Sequence, residues 1–573
     1  MRVREYAALA ALTGAAACGS STAPQKGGDV CPSGASQTIV SLAQGGVQAV
    51  TTPANLDCVS LATSDGTPGS FLVIAANADT KPDVIGQYDL VLGQPTTPVA
   101  DIAAAGRNRS APVVFDRSAM LGSTAEGRFR AMERRVLQLG NPGVRSAEAA
   151  FMRSASTGVR TASVPNVGDT LTFKVPNATA QNSCVTFTTQ RAVVKTVGVH
   201  GIIVQDVKAP AGGFTTVAFD SIETEFDQII YTTDVSHFGS PSDIDGNGHV
   251  FLFFTPQVNT GTARGSRNVL AGFFFDGDLF PATGPNSCAE SNLSEIFYLL
   301  TPDPSGQFGD ARSTEKVRQT ARGVVAHEFQ HMINAGVRIQ ENALDETVWM
   351  NEALSHFAEE FVGRAEDGFP DTQKLSISDV EDEPSLNNFN AFFGQNMARL
   401  RDFMVDPSTL GATSTHADTS LAVRGAAWSL LRYSADQYAH GNVAAFTKAL
   451  VAGPDTGVAN LAARAGTPFD SVVAGWLPAL YASDDSIAGL PDRYTFPSWD
   501  LRSTEAAVNN GGFPLVATTL SGGNTASGTV SSAAANYYVV GVPASGTVLL
   551  GEVAPNGGVV TFRGARLYIV RLR

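Results

Sequence analysis

Charge is scarce in this chain: of 573 residues only 16% are Asp, Glu, Lys or Arg, and the formal net charge is −15. That balance disfavours a nucleic-acid partner, whose phosphates call for a basic face. Long apolar runs are missing near the start, where Ala7 to Ala17 is too short to span a bilayer. Cysteine is sparse, five in all, so the fold is not a small disulfide-stapled scaffold. With 43% hydrophobic residues, the chain can bury more than one core, and about two to four domains are expected.

Histidine is rare as well, eight in all, yet two stand four apart in Gly323-Val-Val-Ala-His327-Glu328-Phe-Gln-His331. Residues four apart on a helix share a face, so both imidazoles reach one ion. Glu328, between them, can reach a water at that ion without binding the metal, the position of a general base. A helix is expected here: Ser313 or Thr314 can cap it, Val317, Ala321, Val324 and Val325 recur at helical spacing, and Gly336 is the expected stop. No histidine follows in Met-Ile-Asn-Ala-Gly-Val-Arg338, so the third ligand has to come from a second helix.

Asn351 to Phe361 reads as that helix. Ala353, Phe357 and Phe361 form an apolar row, while Glu352, His356 and Glu359 or Glu360 follow a polar row. Glu352 is the expected ligand because it follows a bulky apolar anchor and begins the row that faces inward. Asp345, Glu346, Glu359 and Glu360 compete with it, some of them as a solvated acidic face.

The His-Glu-aromatic-Gln-His helix followed by Trp349-Met-Asn351-Glu352-Ala-Leu-Ser355-His356 resembles gluzincin metallopeptidases, most of all the hyicolysin family. Phe238 to Gly248, Gly272 to Pro281, Asn292 to Tyr298 and Gly425 to Tyr433 look like that family's other segments, so the likeness covers roughly residues 165–500. It implies a thermolysin-like zincin core, a mixed β-sheet lobe plus a helical lobe; with the strand-patterned ends of the chain, the expected fold is α+β multidomain, that core flanked by N- and C-terminal β-domains. It also implies one zinc ion on His327, His331 and Glu352, Glu328 as the base that deprotonates the attacking water, and an exported endopeptidase acting on extracellular or cell-surface proteins.

This chain departs from the pattern in places. Thermolysin-like members carry an Asp four residues after the third ligand to orient a histidine; here His356 stands there, with Glu359 or Glu360 as substitutes. Tyr433, Tyr438, His440 and Arg424 are the candidate oxyanion donors, and Ser294 to Leu300 is the candidate edge strand for pairing substrate. A second reading is a catalytically impaired peptidase-fold lipoprotein that acts as a surface binding or structural protein. An aminopeptidase would need a Gly-x-Met-Glu-Asn segment, which is absent.

Asp243-Ile-Asp245-Gly-Asn247-Gly248 matches half a calcium loop, but Phe254 stands where the closing Glu belongs, so an Asx-rich turn is expected over a Ca2+ site. Residues 1–17 read as an export signal ending at Ala15-Ala-Ala-Cys18, which gives a lipidated Cys18 and a tether over 18–29. The protein is then placed in a bacterial cell envelope, as an outer-membrane lipoprotein or a secreted protein. Four cysteines remain, and Cys31–Cys58 and Cys184–Cys288 are the expected disulfides, each stapling one domain.

Along the chain, 30–105 is expected as an N-terminal β-domain, 165–495 as the peptidase domain and 496–573 as a C-terminal β-domain. Between the first two, 106–164 holds a basic island of ten arginines from Arg107 to Arg160. Phe129, Met132, Val136 and Leu139 there share a helical face, so the segment is a basic helical linker or an inhibitory pro-segment.

Overall fold

A computed structural model describes residues 30–31, 36–93, 123–157, 162–266, 269–284, 286–544 and 546–573. The export signal and Cys18 lie outside them. Among the described residues, no helix is long and apolar enough to cross a membrane.

Alternating apolar residues build two five-stranded sheets from the two ends of the chain. One runs β1 (Thr38–Leu42), β3 (Val59–Thr63), β15 (Val548–Val553), β5 (Gly86–Leu92), β13 (Thr525–Val530). The other runs β12 (Thr518–Leu520), β14 (Ala534–Val542), β4 (Gly69–Asn77), β16 (Ala565–Arg571), β2 (Val47–Val50). The β-rich ends expected as separate domains, 30–105 and 496–573, therefore interleave: β15 enters between β3 and β5, and β4 lies between β14 and β16. A strand's alternation reports which face is buried but not which strand lies beside it, so this pairing was invisible in the pattern.

β4 is buried along its whole length. Phe71, Val73 and Ala75 fill the interior between the two sheets, while Leu72, Ile74 and Ala76 face the core shared with the helices. The two disulfides are Cys31–Cys58 and Cys184–Cys288, as expected, with Cα separations of 4.8 and 4.7 Å.

A third, mixed sheet has the order β10 (Gly272–Phe274), β11 (Ile296–Leu299), β9 (Val250–Phe254), β8 (Gly201–Asp206), β7 (Phe187–Val197), β6 (Thr170–Pro176). β8, β9 and β11 run parallel, and the remaining pairs are antiparallel. The helices that concern the site are α1 (Ser123–Val136), α2 (Pro142–Thr157), α3 (Thr216–Glu225), α4 (Tyr231–Phe238), α5 (Pro256–Thr260), α6 (Thr314–Gln340) and α7 (Val348–Glu366). α3 and α4 form the crossover between β8 and β9 that a parallel pair requires.

Ser313 starts α6 by accepting the Lys316 N–H, a cap worth about 1 kcal/mol. Gly336 does not end this helix, which continues to Gln340. The glycine serves packing instead: a Cβ there would lie 3.2 Å from the backbone nitrogen of Ser242. Val325, Phe329, Met332 and Ile333 seat α6 on Leu252, Phe254, Phe274, Phe297 and Leu299 of the mixed sheet, and Ala353, Phe357 and Phe361 of α7 complete the same core. The chain is thus a multidomain α+β protein in which sheet, α6 and α7 are stacked.

Candidate metal centre

The apolar stack fixes α6 and α7 so that their polar rows meet. His327 and His331 lie one turn apart with Nε2 atoms 3.2 Å from each other. The Glu352 carboxylate reaches in from α7, with Oε2 3.6 Å from His327 Nε2 and Oε1 4.0 Å from His331 Nε2. All three residues are buried, and a ligand atom from each falls within 4.8 Å of the others.

The other ring nitrogens are already committed. His327 Nδ1 lies 2.8 Å from Glu359 Oε1. Ser355 donates its hydroxyl to Gln330 Oε1 at 2.6 Å, so its oxygen accepts from His331 Nδ1 at 3.1 Å. This network makes each Nδ1 a donor and leaves both Nε2 atoms facing Glu352. Two nitrogens and one carboxylate with a further place open form the donor set of a catalytic zinc; ligands about 2.1 Å from one tetrahedral ion stand about 3.4 Å apart. The residues therefore fit that metal.

Of the two acids considered for orienting a histidine, Glu359 takes the position and Glu360 does not. Glu360 sits in a separate buried network with Arg364 at 2.8 Å, Arg432 at 3.4 Å and the indole N–H groups of Trp428 and Trp499 at 3.0 and 2.9 Å. His356 also turns Nδ1 to Glu359, at 2.9 Å, and lies against the Arg399 guanidinium. Burial, and then Arg399, push the His356 pKa down to about 3, so the ring is neutral. Burial opposes ionisation of Glu359, but His356 and His327 hold it below the usual carboxylate range. Glu352 is likewise held well below that range against its burial, first by Arg424, 2.8 Å away, and then by the two imidazoles.

Of the four residues considered as oxyanion donors, Arg424 stands at this centre through Glu352. Tyr433 donates to the Arg493 carbonyl at 2.6 Å, Tyr438 packs its ring against Tyr433, and His440 is exposed beyond the end of their helix. Glu346, a competitor for the metal, accepts from the Thr347 N–H and Asn460 at 2.6 and 2.9 Å and belongs to a buried structural network.

Glu328 points to the edge of the mixed sheet. Its Oε2 accepts the Phe274 N–H at 2.8 Å and lies 2.6 Å from Arg130 Nη2. The sheet edge beside Glu328 is β10; the Ser294–Leu300 segment holds β11, which lies inside the sheet between β10 and β9. Both segments are aromatic and apolar, so composition did not separate edge from interior. Arg130, nearly two hundred residues upstream of Glu328, carried no signal beyond its place in the basic island.

The Asp243, Asp245, Asn247 loop forms a turn stabilised from within. Asp245 accepts from the Asn247 backbone and side chain at 3.0 and 2.8 Å and from Ser294 at 2.8 Å, and Asp243 accepts the Gly248 N–H at 3.1 Å. Asp243 and Asp245 also bring carboxylate oxygens within 4.8 Å of Glu295. Burial pushes Glu295 up to about 7, while Ser242 and the Ile244 N–H bond its carboxylate.

No family model matches the chain. A stretch of 143 residues is 31% identical to the neutral metalloprotease ShpI of Staphylococcus hyicus. It amounts to 24% of this chain and 30% of that protein, so the likeness to a metalloprotease spans under a third of the relative's length.

Proposed function

We propose that this protein is an exported zinc endopeptidase of gluzincin type with a thermolysin-like core, hydrolysing peptide bonds of extracellular or cell-surface proteins. The observation that carries this reading is the convergence of His327, His331 and Glu352 on one buried point, with Glu328 on the same helix. The stacking of mixed sheet, α6 and α7, with an edge strand beside Glu328, supports the thermolysin-like core. Two disulfides support an oxidising compartment, and a lipid anchor at Cys18 belongs to the same proposal.

In this reading His327, His331 and Glu352 hold one zinc ion, which when bound supplies a Lewis acid for the scissile carbonyl. Glu328 takes a proton from the attacking water on a carboxylate oxygen and returns it to the leaving amine. Glu359 and Ser355 hold the imidazoles in the tautomer that presents Nε2, and Arg424 holds the Glu352 carboxylate.

The test compares wild type with Glu328→Gln for zinc content and for hydrolysis of a generic protein substrate. One zinc per chain is expected in both, with turnover lower by about 100-fold or more in the variant. Equal turnover at full metal content rejects the mechanism.

A further inference from the structure

The α1–α2 hairpin lies across the metal cleft. Arg130 and Glu328 have side chains only 6% and 3% exposed, and their 2.6 Å contact engages the residue proposed as the base. The other end of the same guanidinium donates to the Phe274 carbonyl at 2.7 Å. β10 pairs with β11 alone, through a register that leaves the Phe274 N–H and C=O on the open side of the sheet. Those are the groups with which an extended peptide adds to a sheet edge. One arginine therefore holds both the base and the main-chain acceptor a substrate would use.

The rest of the hairpin follows the same logic. Phe129 packs its ring 4.6 and 5.6 Å from Phe273 and Phe275. Arg134 pairs with Asp418 and Arg145 with Asp345, both outside the hairpin. Glu133 accepts the Asp276 N–H at 2.6 Å, and Asp276 feels the positive charge of Arg130, Arg145 and Arg134. Glu328, Asp345 and Asp418 come from three separate segments, arginines of one hairpin pair with all three, and Asp276 lines the same cleft beside Arg130 and Arg134. Fit is close as well: a Cβ on Gly127 would lie 1.5 Å from the Asp418 carbonyl oxygen, so this helix docks only with glycine there.

We propose that α1–α2 stands in the substrate's place and that, once it is displaced, Asp276, Asp345 and Asp418 make the cleft select peptides carrying arginine or lysine. The proposal rests on the peptidase reading above. Nothing covalent is required, since the contacts are ion pairs, hydrogen bonds and apolar packing that a basic peptide can replace.

The experiment uses the full zinc-loaded chain, as wild type and as Gly127→Val, with two synthetic peptides identical except that one carries arginines where the other carries glutamates. Hydrogen exchange at α1–α2 is read against α6–α7, and hydrolysis of each peptide is followed. In Gly127→Val, protection is expected to vanish at α1–α2 and persist at α6–α7. The arginine peptide should then be cleaved about 10-fold or more faster than by wild type, and about 10-fold or more faster than the glutamate peptide. Release of the hairpin with no faster cleavage overturns the proposal, as does equal cleavage of the two peptides.

If Gly127→Val loses protection everywhere, wild type decides. Excess arginine peptide should raise exchange at α1–α2 and the glutamate peptide should not; no difference between them overturns the proposal. Displacement by the arginine peptide without hydrolysis by any form defeats the peptidase reading and leaves the occupancy of the cleft standing. Hydrolysis of a generic substrate by wild type, with a hairpin that neither peptide moves, does the reverse.

Discussion

The molecule holds two helical hairpins against its candidate metal cleft by different means. α6 and α7 meet through Phe329, Met332, Ala353, Phe357 and Phe361, and apart from Glu328, which meets Arg130 of α1, their buried charges are answered from within the pair or its close supports, as Glu359 answers His327. α1 and α2 also bury apolar groups, Phe129, Met132, Ala149 and Met152, but they carry the guanidinium charges of Arg130 and Arg145 into the interface with them. Burying charge costs several kcal/mol per ion before pairing restores it, and breaking such a pair by removing one partner exposes that cost. One hairpin is therefore part of the core, and the other is a resident whose hold depends on the charges it meets.

The sharpest way to break this comparison is to cut into α6–α7 itself. Phe357 is fully buried, 4.5 Å from the Phe361 ring and beneath the Arg432 guanidinium. Phe357→Ala is expected to cost about 3–5 kcal/mol of global stability, because the cavity it leaves lies where sheet and helices cannot collapse. Denaturant midpoints would show it. A loss under about 1 kcal/mol would mean that this hairpin is no more integral than α1–α2.

A smaller effect tests how the core pair serves the site. Glu359→Ala removes the acceptor for His327 Nδ1 and for His356. Zinc affinity, measured by competition with a chelator, is expected to fall about 10- to 100-fold. Glu360→Gln should leave that affinity unchanged, since its partners are Arg364, Arg432 and two indoles. Equal effects of the two changes would remove the distinction between them.

The sequence displayed this site to the extent that its geometry is local. His327, Glu328 and His331 share one helix, and Glu352 begins a row set by the same period, so the spacing already brought them together on paper. What it hid depends on partners far apart in the chain. Glu359 and Glu360 are neighbours in one acidic row, and only the packing of α7 decides which of them meets His327. β10 and β11 are alike in composition, yet one is an edge and the other interior. β15 inserts between strands more than 450 residues upstream, and no alternation of apolar residues encodes that neighbour. The basic island was legible as basic; its acidic counterparts, Asp276, Asp345 and Asp418, are dispersed singly along the chain.

The finest way to sharpen the comparison is pH, because α1–α2 carries acids that the cleft keeps protonated. Burial first, and then the Asp276 carboxylate, push Glu133 up to about 8 against the pull of Arg130, and Glu290 adds negative charge nearby. Glu148 is also pushed up to about 8, by burial first and further by Asp276, against Arg145. Asp276 and Asp418 are raised by burial too, so the facing groups carry the same sign. A released hairpin returns Glu133 and Glu148 to the ordinary value of 4.5. Below that pH both states hold the protons and docking keeps its full strength; as pH climbs toward 8 the released state ionises first and docking weakens. Protection factors, from which the intrinsic pH dependence of exchange has been divided out, should fall at α1–α2 between pH 5 and pH 8 while those of α6–α7 hold. Glu133→Gln, which cannot ionise, should flatten part of that fall, and a fall of the same size in the variant would assign the effect to other groups.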